Sequence, residues 1–110
     1  MELKEGHGVL GKIRFSDGAM PEYNRTYLVV TVATEYIELL NVSSIKGKER
    51  KLAFSSNERL RRYNPPFLKP SFVKLDSLIR VAKEDADDLI VLNKGRTLEA
   101  GELSRIKNML

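Results

Sequence analysis

Apolar and polar positions alternate along several short segments of the chain, and this period of two predicts β-strands. The segment 8–15 alternates cleanly and predicts a strand with one buried face. The segment 27–33 is β-branched and almost entirely apolar, which predicts a central strand buried on both faces. The segment 36–42 follows after a short turn, and we expect it to pair with 27–33.

The rest of the chain adds shorter strands and one late helix. Further strands are predicted at 50–54, 71–76, 78–82 and 89–92. The segment 55–70 is basic and holds three of the four prolines, so we expect no continuous element there. Leu103, Ile106 and Leu110 form a stripe at helical spacing, which predicts a helix over 99–110. Six or seven short strands with so little helix are typical of a mainly β chain that forms a small barrel or a half-barrel.

Composition narrows the possible classes of protein. The 110 residues are 42% hydrophobic and 31% charged, which indicates one globular domain over 1–110. There is no cysteine, which excludes disulfides and cysteine-built metal centres. No apolar run approaches the ~20 residues of a membrane helix, and the first residues form no secretory leader. We therefore expect no membrane partner and a cytoplasmic location.

Cofactor and metal motifs are also missing from the sequence. There is no phosphate-binding glycine loop of the Walker or dinucleotide type and no nucleophile elbow. The one histidine, His7, stands between two glycines, and we expect it to be exposed and incidental. The acidic segment 84–88 lacks the spacing of a calcium loop and is interpreted as a solvated turn. We expect neither a cofactor nor a metal ion.

Charge gives the first indication of a partner. Residues 46–74 hold nine basic and two acidic residues, whereas the segments on either side are slightly acidic. A concentrated positive field attracts polyanions, of which nucleic acid is the commonest. A solvated loop rich in lysine and arginine is the alternative interpretation.

The order of several short motifs carries a further indication. An arginine, Arg25, opens the apolar strand Arg-Thr-Tyr-Leu-Val-Val-Thr, and the next strand ends in Val-Ser-Ser with Ser43 and Ser44. A basic loop follows, then Lys-Pro-Ser-Phe-Val-Lys-Leu-Asp over 69–76, and the chain ends with Lys-Gly-Arg-Thr-Leu and the predicted helix. In this order the chain resembles the MazF/PemK toxins of type II toxin–antitoxin systems over about residues 8–110.

The resemblance implies a fold, an activity and partners. It implies an SH3-like barrel that forms a homodimer, cleaves single-stranded RNA without a metal ion and is neutralised by an antitoxin protein. Thr26 stands where the family usually has proline, and the serine pair replaces a threonine. Four apolar residues also favour a dimer, because a barrel this small is expected to leave them short of partners. They are Val91, Leu92, Ile106 and Leu110.

Site residues follow from the positions that match the family's motifs. The resemblance implies that Arg25 and Ser43 hold the scissile phosphate, with Ser44 as the substitute if the register differs by one. Lys74 and Asp76 are two apart on a predicted strand and would face the same side. The resemblance makes Asp76 a candidate base and Lys74 a candidate acid or phosphate clamp.

The basic segment supplies the candidate RNA-binding residues. Besides Ser44 they are Lys46, Lys48, Arg61, Arg62 and Lys69. Tyr63 and Phe67 are candidates for stacking on bases, while Tyr27 lies in a buried strand and is expected in the core. Two other functions remain open on the sequence: a non-catalytic SH3-like module that binds nucleic acid or protein, and a gyrase-poisoning toxin of the CcdB type.

Overall fold

A computed structural model describes residues 2–14 and 17–110. It has seven β-strands, one α-helix and four short 3-10 helices. The strands are β1 (Gly8–Gly11), β2 (Arg25–Val32), β3 (Tyr36–Ser44), β4 (Asn57–Arg59), β5 (Ser71–Lys74), β6 (Ile79–Ala82) and β7 (Ile90–Val91), and the helix is α1 (Ala100–Lys107). The 3-10 helices are Glu49–Ala53, Leu75–Ser77, Lys83–Ala86 and Asn93–Gly95. The mainly β class is therefore confirmed.

All seven strands belong to one antiparallel sheet in the order β4-β5-β3-β2-β1-β7, with β6 also paired to β3. β3 is its centre: the end of the strand pairs with β5 and the beginning with β6. Between these two pairings the backbone amide of Asn41 donates to Ser77 Oγ at 2.9 Å. The serine side chain thus replaces the backbone acceptor that a neighbouring strand would supply. Within the described residues the sheet is open, because β4 and β7 are its outer strands.

The sheet buries apolar side chains on both faces, as alternate positions of β2 show. Leu28 and Val30 belong to one core cluster, whereas Tyr27 and Val29 belong to a second. The first cluster includes Phe67, Leu98 and Ile106 and so lies between the sheet, the 60–67 segment and α1. The second includes Val9, Ile37 and Val81 from β1, β3 and β6. The prediction that the second strand is buried on both faces is confirmed at its centre.

Helix α1 is tied to the sheet by charge as well as by packing. Glu99 caps its first turn by accepting from the amides of Gly101 and Glu102 at 2.9 and 3.0 Å. Arg105 in the helix donates to Glu102 at 2.7 Å and to Glu58 of β4 at 2.5 Å. The helix thus holds the outer edge of the sheet at β4.

Some predicted elements differ from the structure. The segment 50–54 is not a strand but part of the 3-10 helix Glu49–Ala53, and β5 ends at Lys74 rather than at residue 76. The predicted first strand ends at Gly11, and its Phe15 lies outside the described residues. The acidic segment 84–88 lies, as predicted, in a connection between strands.

His7 is not exposed, contrary to the sequence-based expectation; its relative exposure is 1%. Its Nδ1 accepts from the Lys4 amide at 3.0 Å, which leaves the ring proton on Nε2 to be donated to the Gly95 carbonyl at 3.1 Å. Burial lowers the pKa of the imidazole, partly offset by the Gly95 hydrogen bond. His7 therefore joins the N-terminal segment to the turn before α1.

The apolar residues expected to lack partners mostly find them within the chain. Ile106 is completely buried in the first core cluster. Leu92 and Val91 are half-buried and pack against the first and second clusters. Leu110 remains 49% exposed. This argument for a dimer is therefore wrong for Ile106 and weak for Val91 and Leu92.

No helix in the described part of the chain has the length and apolar character needed to cross a membrane.

Candidate functional site: a cationic cluster at the end of β2 and β3

The pairing of β2 with β3 places Arg25 beside Ser43. Thr26 lies opposite Val42 and Tyr27 opposite Asn41, and continuing this register by one position sets Arg25 opposite Ser43. Side chains directly opposite in an antiparallel pair share a face of the sheet, with Cβ atoms about 5 Å apart. Successive residues of a strand point to opposite faces, so Ser44 belongs to the other face.

Lys74 of β5 belongs to the same face as Arg25 and Ser43. Ser43 lies opposite Phe72, which is two residues before Lys74 on β5. The pKa of Lys74 is lowered mainly by partial burial, and then by the positive charges of Lys51, Lys48 and Arg25. A lysine whose charged form is disfavoured by neighbouring cations gives up its proton more readily than a solvated one.

Asp76 does not occupy the position that the sequence predicted for it. The shared-strand argument fails because β5 ends at Lys74 and Asp76 lies in the 3-10 helix Leu75–Ser77. Ser77 closes this turn by donating to the Lys74 carbonyl at 2.6 Å. The Asp76 carboxylate, which is exposed, still acts on Lys74 by opposing the lowering of its pKa. Asp76 and Lys74 are therefore neighbours through a turn rather than along a strand.

Two more lysines reach the site from the 3-10 helix Glu49–Ala53. Lys48 is the residue just before this helix, and Lys51 lies in its middle. Both charges act on Lys74, and we call Arg25, Lys48, Lys51 and Lys74 the cationic cluster. Sequence reasoning missed Lys51 because it placed this segment in a strand. The spacing of three between Lys48 and Lys51 was the available signal, since three residues make one turn of a 3-10 helix.

Lys46 and Lys69 lie on either side of Ser44. Lys46 is exposed in the turn that follows β3, next to Gly47 with its φ of 80°. Lys69 precedes β5, and its carbonyl accepts from Ser71 Oγ at 2.7 Å. Ser71 is the register partner of Ser44.

A shallow pocket of about 330 Å³ lies at this end of the sheet. Its polar lining includes Ser43, Ser44, Lys69 and Asn93, and Phe67 closes part of its apolar side. Phe67 is only 4% exposed and belongs to the core, so the idea that it stacks freely on a base is wrong. Tyr63 is half-buried and also packs against that core.

Arg61 and Arg62 belong to a different environment. They follow β4 at the outer edge of the sheet, and their backbone amides donate to Glu102 Oε2 of α1 at 2.5 and 3.2 Å. The Arg62 guanidinium lies 3.9 Å from Glu99, and both side chains are well exposed. Contacts with α1 therefore hold the backbone at these two arginines, and neither residue belongs to the cationic cluster.

Tyr27 marks the buried limit of the site. It is 5% exposed, as expected for a core residue, and burial raises the pKa of its hydroxyl while the charge of Arg25 opposes that rise. Arg25 itself is exposed at the start of β2. The site therefore combines an exposed arginine with a buried tyrosine two residues further along the same strand.

This arrangement suits the binding of a phosphodiester. A guanidinium can hold two phosphate oxygens at once, a serine hydroxyl can add a neutral hydrogen bond, and the lysines supply further positive charge. Within residues 2–14 and 17–110, no three histidine, cysteine or acidic side chains are grouped as metal ligands would be.

The comparisons with known proteins add no assignment: the chain matches no protein-family model and no curated protein sequence.

Proposed function

We propose that this protein is an endoribonuclease toxin of the MazF/PemK type that cleaves single-stranded RNA without a metal ion. The observation that carries the proposal is the placement of Arg25, Ser43 and Lys74 on one face at the same end of the sheet. The order of motifs in the sequence points to the same three residues. Their convergence on one face is what a phosphodiesterase site needs.

The chemistry can be written with these side chains. Asp76 removes the proton of the ribose 2′-hydroxyl, and the 2′-oxygen attacks the adjacent phosphorus. Arg25 and Ser43 hold the non-bridging oxygens and stabilise the added negative charge. Lys74 gives its proton to the 5′-oxygen as the P–O5′ bond breaks. The products are a 2′,3′-cyclic phosphate and a free 5′-hydroxyl.

The cationic cluster supports a mechanism that needs no metal ion. Four positive side chains around the reacting phosphate supply the charge that a divalent cation supplies in other nucleases. The lowered pKa of Lys74 supports its role as the acid, because proton transfer is most efficient when the pKa of the donor approaches the working pH.

The proposal extends to the fold family and the partners of these toxins. We infer an SH3-like barrel, a homodimer, a cytoplasmic location and neutralisation by an antitoxin protein. The mainly antiparallel sheet with a C-terminal helix is compatible with this class. The other parts of the proposal rest on the order of sequence motifs.

The test is cleavage of a mixed single-stranded RNA by purified protein in EDTA, with the ends of the products determined. We expect cleavage that EDTA does not reduce, and fragments ending in 2′,3′-cyclic phosphate. Substitution of the 2′-hydroxyl by fluorine should abolish cleavage, because the nucleophile is lost. Cleavage that requires added Mg²⁺ or Mn²⁺ would contradict the mechanism, and RNA binding without cleavage would favour a binding module.

Substitutions of single residues test which side chains hold the scissile phosphate. Arg25→Ala should reduce the rate by about 10²–10³, which corresponds to losing about 3–4 kcal/mol of charge stabilisation. Ser43→Ala should cost about tenfold for one neutral hydrogen bond. Ser44→Ala is the matched control, because its side chain belongs to the opposite face. A larger effect at Ser44 than at Ser43 would show that the phosphate lies on the other face.

A further inference from the structure

The 3-10 helix Glu49–Ala53 carries Lys51 in its middle and is flanked by Lys48 and by the exposed ring of Phe54. The Lys51 backbone amide donates to the Lys48 carbonyl at 2.9 Å, and the Phe54 backbone amide donates to the Lys51 carbonyl at 3.2 Å. Each of these hydrogen bonds spans three residues and closes one turn. Lys48 therefore stands one turn before Lys51, and Phe54 stands one turn after it.

The helix is fixed to the sheet next to Lys74. The side-chain Nδ2 of Asn57 donates to the Lys51 carbonyl at 2.9 Å, and the backbone amide of Asn57 donates to the Phe54 carbonyl at 3.0 Å. Asn57 is also the register partner of Lys74 across β4 and β5. Through Asn57, the backbone of both Lys51 and Phe54 is therefore held next to the register partner of Lys74.

Phe54 is not part of either core cluster. Its relative exposure is 60%, whereas Phe67 and Phe72 are 4% and 0% exposed. Proteins that bind single-stranded nucleic acid combine a positively charged track for the backbone with aromatic rings that stack on the bases. An exposed phenylalanine next to two lysines of the cationic cluster supplies both parts of such a site.

We infer that the RNA strand runs from the scissile phosphate onto this helix, where Lys51 and Lys48 hold a neighbouring phosphate and Phe54 stacks on a base. The inference rests on the proposed function for its ligand and adds a second binding subsite to it. Stacking requires a base with a free face, so this subsite accepts single strands and does not distinguish strongly among the four bases.

Binding measured by fluorescence anisotropy with two uncleavable strands of equal length tests this subsite. One is a mixed-sequence RNA in which fluorine replaces every 2′-hydroxyl, and the other is an abasic sugar–phosphate strand. The variants are Phe54→Ala, Phe54→Trp and Lys51→Gln. Ile90→Ala is the control for the aromatic residue, because Ile90 is 58% exposed on β7, and Lys83→Gln is the control for the lysine.

The two parts of the subsite should respond differently. Phe54→Ala should weaken binding of the fluorinated strand about tenfold and leave the abasic strand unchanged, and Phe54→Trp should restore the affinity. Lys51→Gln should weaken both strands and reduce the slope of log affinity against log salt by about 0.7. Both control variants should bind like the unmodified protein.

The failures are distinguishable. If the unmodified protein cleaves RNA but Phe54→Ala binds the fluorinated strand normally, this subsite is overturned and the proposed function stands. If Phe54→Ala weakens the abasic strand equally, the ring has a structural role and the stacking is overturned. If the unmodified protein neither cleaves RNA nor binds either strand, both inferences fail together.

Discussion

At the scale of single residues, the chemistry of Lys74 depends on its burial and on the charges of its neighbours. Burial and the charges of Lys51, Lys48 and Arg25 lower its pKa, while Asp76 opposes them. A general acid must be protonated to act, so the rate should fall as the pH rises through this lowered pKa. We therefore expect the alkaline limb of the pH profile to lie below the ordinary lysine value of about 10.4.

We predict that Lys51→Gln shifts that limb of kcat/KM to higher pH, because one of the cations that disfavours the protonated lysine is removed. Lys74→Arg should lose most of the rate, since a guanidinium keeps the charge but does not release its proton near neutral pH. Profiles of kcat/KM against pH for the three proteins measure both effects. Full activity in Lys74→Arg would instead identify Lys74 as a phosphate clamp.

His7 shows what single-sequence reasoning misses at this scale. A lone histidine between two glycines gives no sign of burial, yet its ring lies between the Lys4 amide and the Gly95 carbonyl, 88 positions away. Arg25 and Ser43 were accessible because they match positions in the order of motifs by which the chain resembles the MazF/PemK toxins. Contacts between distant turns leave no comparable pattern in the sequence.

At the scale of elements, most strands were predictable from the sequence: β2 and β3, and also the short strands β5, β6 and β7, overlap the predicted segments, whereas β4 was missed. β2 and β3 have continuous apolar patterns that fix their faces and register, and with them the pairing of Arg25 and Ser43. The segment 50–54 has a mixed pattern in which a strand and a 3-10 helix are hard to tell apart. That misassignment concealed Lys51 and the place of Phe54 at the end of a helix.

Helix α1 offers a test of how one element holds another. Glu102 is 5% exposed and accepts from Arg105 and from the amides of Arg61 and Arg62. These contacts lower its pKa to about 2, with the Arg105 hydrogen bond as the largest cause. The folded-state pKa lies below the ordinary glutamate value of 4.5, so the stabilisation is present above pH 4.5 and is lost as the pH falls toward 2.

We predict that Glu102→Gln lowers the free energy of unfolding at pH 7 by about 2–3 kcal/mol, since it removes the charge that pairs with Arg105 and binds two amides. Denaturant unfolding at pH 7 and pH 3 measures the effect, and the difference between the two proteins should shrink at pH 3. Glu22→Gln, at an exposed position between β1 and β2, is the control. An equal difference at both pH values would show that the charge of Glu102 is unimportant.

At the scale of the whole molecule, two groups of positive side chains lie in different environments. The cationic cluster lies at the ends of β2, β3 and β5. Arg61 and Arg62 follow β4, and their backbone amides bind Glu102 of α1. The sequence showed that the basic residues are concentrated in one segment of the chain. It did not show that they form two separate groups, because that depends on how α1 and the 3-10 helix Glu49–Ala53 pack on the sheet. The two groups should therefore contribute to different kinetic parameters.

We predict that Arg61→Ala combined with Arg62→Ala raises KM for RNA severalfold and weakens its salt dependence, while kcat at saturating RNA changes little. The positive charges of these two side chains attract the RNA. They lie in a different environment from the groups that act on the scissile phosphate, so we expect them to assist RNA binding and not the chemical step. Steady-state cleavage at several salt concentrations separates the two parameters, with Arg25→Ala as the contrasting variant whose loss falls on kcat. The backbone amides that bind Glu102 are retained in the double variant, so α1 should stay in place. A fall in kcat as large as that of Arg25→Ala would place these arginines at the reacting phosphate and require a different path for the RNA.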